Sequence, residues 1–138
     1  MDAVADSSFV IAVALAKDPS HEICASIFKR YTIIYLPQTT LAEVGYFLTK
    51  IGGNRAAAAF LRHLPDTKYR PVALVEADFL RAAAILEKYA DSRVDFVDAT
   101  TAAVAERLRV NTILTLDRRD FGLIHPAHID HFETLPEA

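Results

Sequence analysis

Short apolar runs alternate with stretches in which apolar positions recur at helical spacing along the whole chain. Ala3–Ala5 reads as a first strand, and Asp6-Ser7-Ser8 supplies small polar residues able to cap a helix over Phe9–Ala16. Asp18-Pro19 predicts the start of a second helix that runs to about Arg30, with Ile23, Ile27 and Phe28 on one face. The β-branched and aromatic run Thr32–Leu36 predicts a second strand, stopped by Pro37. Helix follows over Leu41–Ile51 and ends at Gly52-Gly53.

Asn54 is placed to cap a further helix through Leu64, and Pro65-Asp66 makes a turn. Pro71–Val75 is a brief extended segment, followed by an amphipathic helix over Glu76–Tyr89. Asp91–Asp95 reads as a loop, Val97–Arg109 as a helix and Thr112–Leu116 as a strand that delivers Asp117 at its carboxyl end. Strands that alternate with helices predict an α/β fold: a mostly parallel sheet covered by helices on both faces, built as one domain over 1–138. Ligands of such sheets bind beyond the carboxyl ends of the strands.

That placement gives meaning to four acids. Asp6 and Asp117 follow strands, Asp98 opens a helix, and Glu43 lies in the first turn of another. A site made of carboxylate oxygens suits a hard divalent cation, above all Mg²⁺ or Mn²⁺. Each acid also has a purely structural reading. Thr40-Leu41-Ala42-Glu43 matches a capping box, Asp98 complements a helix dipole, Asp117-Arg118-Arg119-Asp120 reads as a charged turn, and Asp6 serves as an N-cap. One cation accounts for all four at once. Asp95, one turn before Asp98, either caps that helix or supports the cation through a bound water.

Composition narrows the function. The 138 residues are 52% hydrophobic, enough for a sizeable core, and the net charge of −3 argues against bulk electrostatic binding of nucleic acid. Contact with nucleic acid must therefore be local or routed through metal. Cys24, the single cysteine, has no intrachain partner, which fits a reducing compartment. Asp2 and Asp6 stand where a secretory signal carries positive charge, so the expected location is the cytoplasm. Nucleotide-binding Gly-rich loops, a Gly-x-Ser-x-Gly elbow and a zinc-type cysteine pair are absent. His125, His128 and His131 form a series interrupted by Pro126, which reads as a surface segment.

Taken together, Asp6-Ser7-Ser8 after the first strand, Leu41-Ala42-Glu43-Val44, Val97-Asp98-Ala99, and Thr115-Leu116-Asp117 followed by Asp120-Phe121 resemble the motifs of PIN-domain ribonucleases. The likeness extends to the VapC toxins of VapBC toxin–antitoxin pairs and covers essentially the whole chain. It implies a three-layer α/β/α domain, with Asp6, Glu43, Asp98 and Asp117 as catalytic, metal-holding acids and Thr115 as a supporting hydroxyl. It also implies hydrolysis of RNA to a 5′-phosphate and a 3′-hydroxyl, a homodimer, and an antitoxin lying in an apolar groove. The helices around Ile23–Phe28 and Leu41–Ile51 are the expected walls of that groove.

Substrate-facing residues are less defined. Arg107, Arg109, Arg118, Arg119, Lys50 and Arg55 are possible phosphate contacts, and Tyr46 and Phe47 possible stacking rings, at least one of which helical spacing assigns to the core. Two rival classes share these features: a PIN-like module that binds or helps process RNA with little or no catalytic activity, and a small-molecule metal phosphatase. The phosphatase normally needs a nucleophilic-Asp motif that Asp6-Ser7-Ser8 does not provide.

Overall fold

In the computed structural model, which describes residues 1–137, a parallel sheet of five strands in the order β3-β2-β1-β4-β5 lies between two layers of helices. The strands are β1 (Asp2–Ala5), β2 (Ile33–Pro37), β3 (Tyr69–Val72), β4 (Thr112–Leu114) and β5 (Glu133–Leu135). The helices are α1 (Ser7–Ala14), α2 (His21–Phe28), α3 (Gln38–His63), α4 (Glu76–Lys88), α5 (Phe96–Arg107) and α6 (Arg118–Leu123). Among the described residues no helix is long and apolar enough to cross a membrane.

Strand alternation produces the layers. Ala3, Ala5, Ile34 and Leu36 point to one face, where they pack with Phe9, Cys24, Ile27 and Val44 of the first three helices. Val4 and Ile113 join a second core with Ala82, Ile85, Ala99, Ala102 and Phe121 from α4, α5 and α6. Both faces are therefore buried, which is why the strands read as continuous apolar runs. Small alanines along α5 let it lie close to the sheet. α4 and α5 are joined by Arg107 with Asp78 (2.9 Å) and by the fork of Arg81 on Glu106 (2.7 and 2.9 Å).

Several element boundaries differ from the sequence expectation. α2 begins at His21 because the Asp18 side chain accepts from the Ser20 amide at 2.8 Å and closes a turn before the helix. Pro37 ends β2 and also serves as the N-cap of α3, so that helix begins three residues earlier than expected. The two predicted helices on either side of Gly52-Gly53 form one element broken at Gly53, whose φ of 71° and ψ of −172° leave helical space. β3 lies at Tyr69–Val72 instead of Pro71–Val75, and α6 and β5 were not expected.

Tyr46 and Phe47 depart from expectation in another way. Both rings are exposed, and Val44 and Leu48 supply the buried face of this part of α3.

Candidate metal centre

The carboxyl ends of β1 and β4 lie side by side, with Val4 opposite Ile113 and Ala5 opposite Leu114. Asp6 therefore emerges next to Thr115, although 109 residues separate them. Asp6 occupies the N-cap position of α1, yet its side chain makes no capping bond. Its Oδ2 instead accepts from Thr115 Oγ1 at 3.0 Å and from Ser8 Oγ at 3.1 Å. Thr115 Oγ1 also accepts from the Asp117 amide at 2.8 Å, and Ser8 Oγ from the Leu116 amide at 2.9 Å. This hydroxyl network couples the two strand ends. Burial raises the Asp6 pKa above its ordinary value, an effect opposed by the Thr115 and Ser8 hydroxyls and reinforced by the charge of Glu43.

Glu43 does not take part in a capping box, because α3 has already begun at Gln38. Its carboxylate accepts from Ser7 Oγ, which holds it beside the β1–α1 junction. Deeper in the interface between α3 and α5, Thr39 meets Thr100 at 2.7 Å and Thr40 meets Thr101 at 3.4 Å. These contacts set the start of α3 against the middle of α5.

α5 begins with a reciprocal cap. Asp95 Oδ1 accepts from the Asp98 amide at 2.8 Å, while Asp98 Oδ2 accepts from the Asp95 amide at 3.1 Å. Asp95 is exposed and Asp98 is only 5% exposed. The Asp98 pKa is pushed up to about 8, chiefly by burial; the Asp95 amide opposes the shift, and the charges of Asp95 and Asp6 add to it.

α6 repeats the spacing: Asp117 is its N-cap, and Oδ1 accepts from the Asp120 amide at 3.5 Å. Carboxylate oxygens of Asp98, Asp117 and Asp120 all lie within 4.8 Å of one another. Asp120 is 4% exposed, and its Oδ1 is buried without a hydrogen-bond partner. Its pKa is raised by burial and by Asp117, with Arg93 acting in the opposite direction. Sequence reasoning placed Asp120 in a charged turn and gave it no role. The missed signal is Asp-x-x-Asp, which at the start of a helix brings both carboxylates to the same end, as in Asp95 and Asp98.

The structure thus gathers Asp98 and Asp117 with Asp120, and holds Asp6 and Glu43 on the adjoining β1–α1 edge. Mutual repulsion and burial make this arrangement costly until a cation is bound. The donor set is entirely oxygen, and the unpartnered Asp120 Oδ1 is an acceptor that a hard divalent ion would satisfy. Asp98, Asp117 and Asp120 are the residues able to hold such an ion.

A parallel five-stranded sheet with buried acids at the carboxyl ends of its central strands defines the class, and residues 3–124 match the PIN domain family. The chain belongs to that family. It is 31% identical over 134 residues to Ribonuclease VapC26 of Mycobacterium tuberculosis (strain ATCC 25618 / H37Rv), spanning 96% of this chain and 99% of that protein. Its fold is similar to that of VapC20 from the same species, a sarcin–ricin loop cleaving toxin (TM-score 0.77, 21% identity, 87% of this chain and 92% of that one). It also resembles a chain of a toxin–antitoxin complex from Klebsiella pneumoniae (TM-score 0.69, 16% identity, 88% and 92%).

Proposed function

We propose that this protein is an endoribonuclease dependent on Mg²⁺ or Mn²⁺ and the toxin of a toxin–antitoxin pair. The observation that carries the reading is the convergence of Asp98, Asp117 and Asp120 beside Asp6 in a PIN fold. A bound divalent ion supplies neutralisation of the phosphodiester's developing charge and a more acidic water. Asp98, Asp117 and Asp120 would hold the ion, and Asp6 and Glu43 on the adjoining edge would accept protons from the waters around it, the attacking water among them. Thr115 and Ser8 fix the Asp6 carboxylate, Ser7 fixes Glu43, and Asp95 fixes Asp98.

Recognition of the RNA is assigned to α3. Tyr46 lies nearly one turn after Glu43, is 67% exposed, and has the Lys50 ammonium 5.4 Å from its ring centroid. A ring and a cation extending from the acids offer stacking to an unpaired base and a contact to phosphate.

The antitoxin reading rests on an apolar groove of about 390 Å³ lined by Val10, Val13, Leu48, Phe60, Leu64 and Tyr69, among others. Its walls come from α1 and both halves of α3, and Phe28 at the end of α2 adds to them. An amphipathic segment of the antitoxin would cover it. The same reading includes a homodimer.

The test uses purified protein with RNA and either Mg²⁺ or Mn²⁺. Wild type cuts, a chelator stops it, and Asp6→Asn and Asp98→Asn retain the circular dichroism spectrum but lose cleavage. RNA that is bound and never cut indicates a binding module, and preference for phosphomonoesters indicates a phosphatase. Sequencing RNA ends after induction, against an Asp6→Asn control, identifies the target.

A further inference from the structure

The histidine series near the end of the chain is divided by the fold. His128 turns inward: its Nε2 is 3.1 Å from the Val110 carbonyl, and its ring meets Phe132 edge-on at 6.0 Å. His125 and His131 remain exposed, and their ring centroids lie 5.0 Å apart at an interplanar angle of 50°.

Both rings are carried on a fastened loop. The His125 amide donates to the Tyr89 hydroxyl at 3.2 Å, and its carbonyl accepts from Arg81 at 3.4 Å. The Ala127 amide donates to Glu106 at 3.1 Å, and Phe132 is buried directly after His131. The loop is thus tied to α4, α5 and the start of β4, so little freedom is lost when its side chains engage a ligand. Two imidazoles bound tetrahedrally to one ion, each through a nitrogen about 2.0–2.1 Å away, place their centroids about 5 Å apart. Rotation about the ring torsion presents either nitrogen.

We propose that His125 and His131 form a two-imidazole site for a borderline transition-metal ion such as Zn²⁺, Ni²⁺ or Cu²⁺, with water completing the coordination. The site lies at the amino end of the sheet, where α5 hands over to β4 and the chain enters β5. The acid centre is at the opposite, carboxyl end. Ligand chemistry separates the two: imidazole nitrogen selects Zn²⁺, Ni²⁺ and Cu²⁺, while the carboxylates select Mg²⁺ and Mn²⁺.

Titration of untagged protein with Zn²⁺ tests this by calorimetry. Zn²⁺ also binds the acids, so wild type takes up one ion besides theirs, and His125→Gln or His131→Gln each weakens that ion about tenfold or more, because each removes the second point of attachment. His128→Gln and Asp98→Asn leave its affinity unchanged. Imidazole ¹⁵N spectra of wild type provide a measurement independent of variants: the His125 and His131 signals shift together on adding Zn²⁺, and His128 stays. Equal affinity in wild type and both exposed-histidine variants, Zn²⁺ shifts that spare this pair, or loss of that ion on Asp98→Asn would overturn the proposal.

Discussion

Thr115 Oγ1 donates to Asp6 Oδ2 across 3.0 Å, and the same hydroxyl accepts from the Asp117 amide, so one side chain sets the spacing between two acids that follow neighbouring strands. Replacement by Val keeps the shape and removes the polar atom. Thr115→Val is expected to lower cleavage or metal affinity about 10–100-fold, the usual cost of losing a group that orients a ligand. Thr115→Ser restores the hydroxyl and should recover most of the activity. A Val variant that cuts RNA at the wild-type rate at every Mn²⁺ concentration contradicts this role.

Asp98 makes the protein's stability depend on pH. Its folded pKa is about 8 against an ordinary value of 3.8, so between those values the native chain holds a proton that the unfolded chain has released. The favourable contribution is complete below the ordinary value and is lost as pH rises through about 8. In chelator, wild type therefore loses stability across this window relative to Asp98→Asn, which should melt a few degrees higher at its alkaline end. Mg²⁺ raises the wild-type midpoint because it binds the native, ionised acids. Parallel melting profiles for the two proteins in chelator rule out the effect.

Asp120, whose backbone amide is capped by Asp117, is expected to bind the cation through its side chain. Asp120→Asn keeps the backbone bond to Asp117 and removes a charge from a cluster spanning 4.8 Å, so the Mn²⁺ concentration for half-maximal activity should rise about 10–100-fold. An unchanged midpoint, with only thermal stability altered, leaves Asp120 without a part in metal binding.

Gly53 carries a conformation nearly reserved for glycine, with φ at 71° and ψ at −172°. A Cβ there meets nothing within 4 Å, so the cost of Gly53→Ala is one of backbone strain, about 1–3 kcal/mol in urea unfolding. Gly122→Ala is the control: it also has open space but lies within α6, and it should be neutral or slightly stabilising. Equal stabilities for the two variants would remove the kink as a requirement of the fold.

The sheet was readable because its central strands are apolar on both faces, and Asp6 and Asp117 were readable because they follow such strands. Glu43 was open to a capping explanation from sequence, which the earlier start of α3 at Gln38 removes. β5 was hidden: its three residues sit at an edge and carry Glu133 and Thr134, too few and too polar to show a period. α6, six residues long and beginning Arg118-Arg119-Asp120, resembles a solvated turn in one dimension. Asp120 was signalled only by its Asp-x-x-Asp spacing from Asp117, whereas the separation of His128 from His125 and His131 depends on contacts with distant segments that no local pattern encodes.

The central pairing of β1 with β4 also governs when activity can arise during synthesis. Asp6 leaves the ribosome early, but its partner strand and the acids at the start of α6 follow more than a hundred residues later. A growing chain therefore cannot bring these acids together until β4 and α6 have been translated.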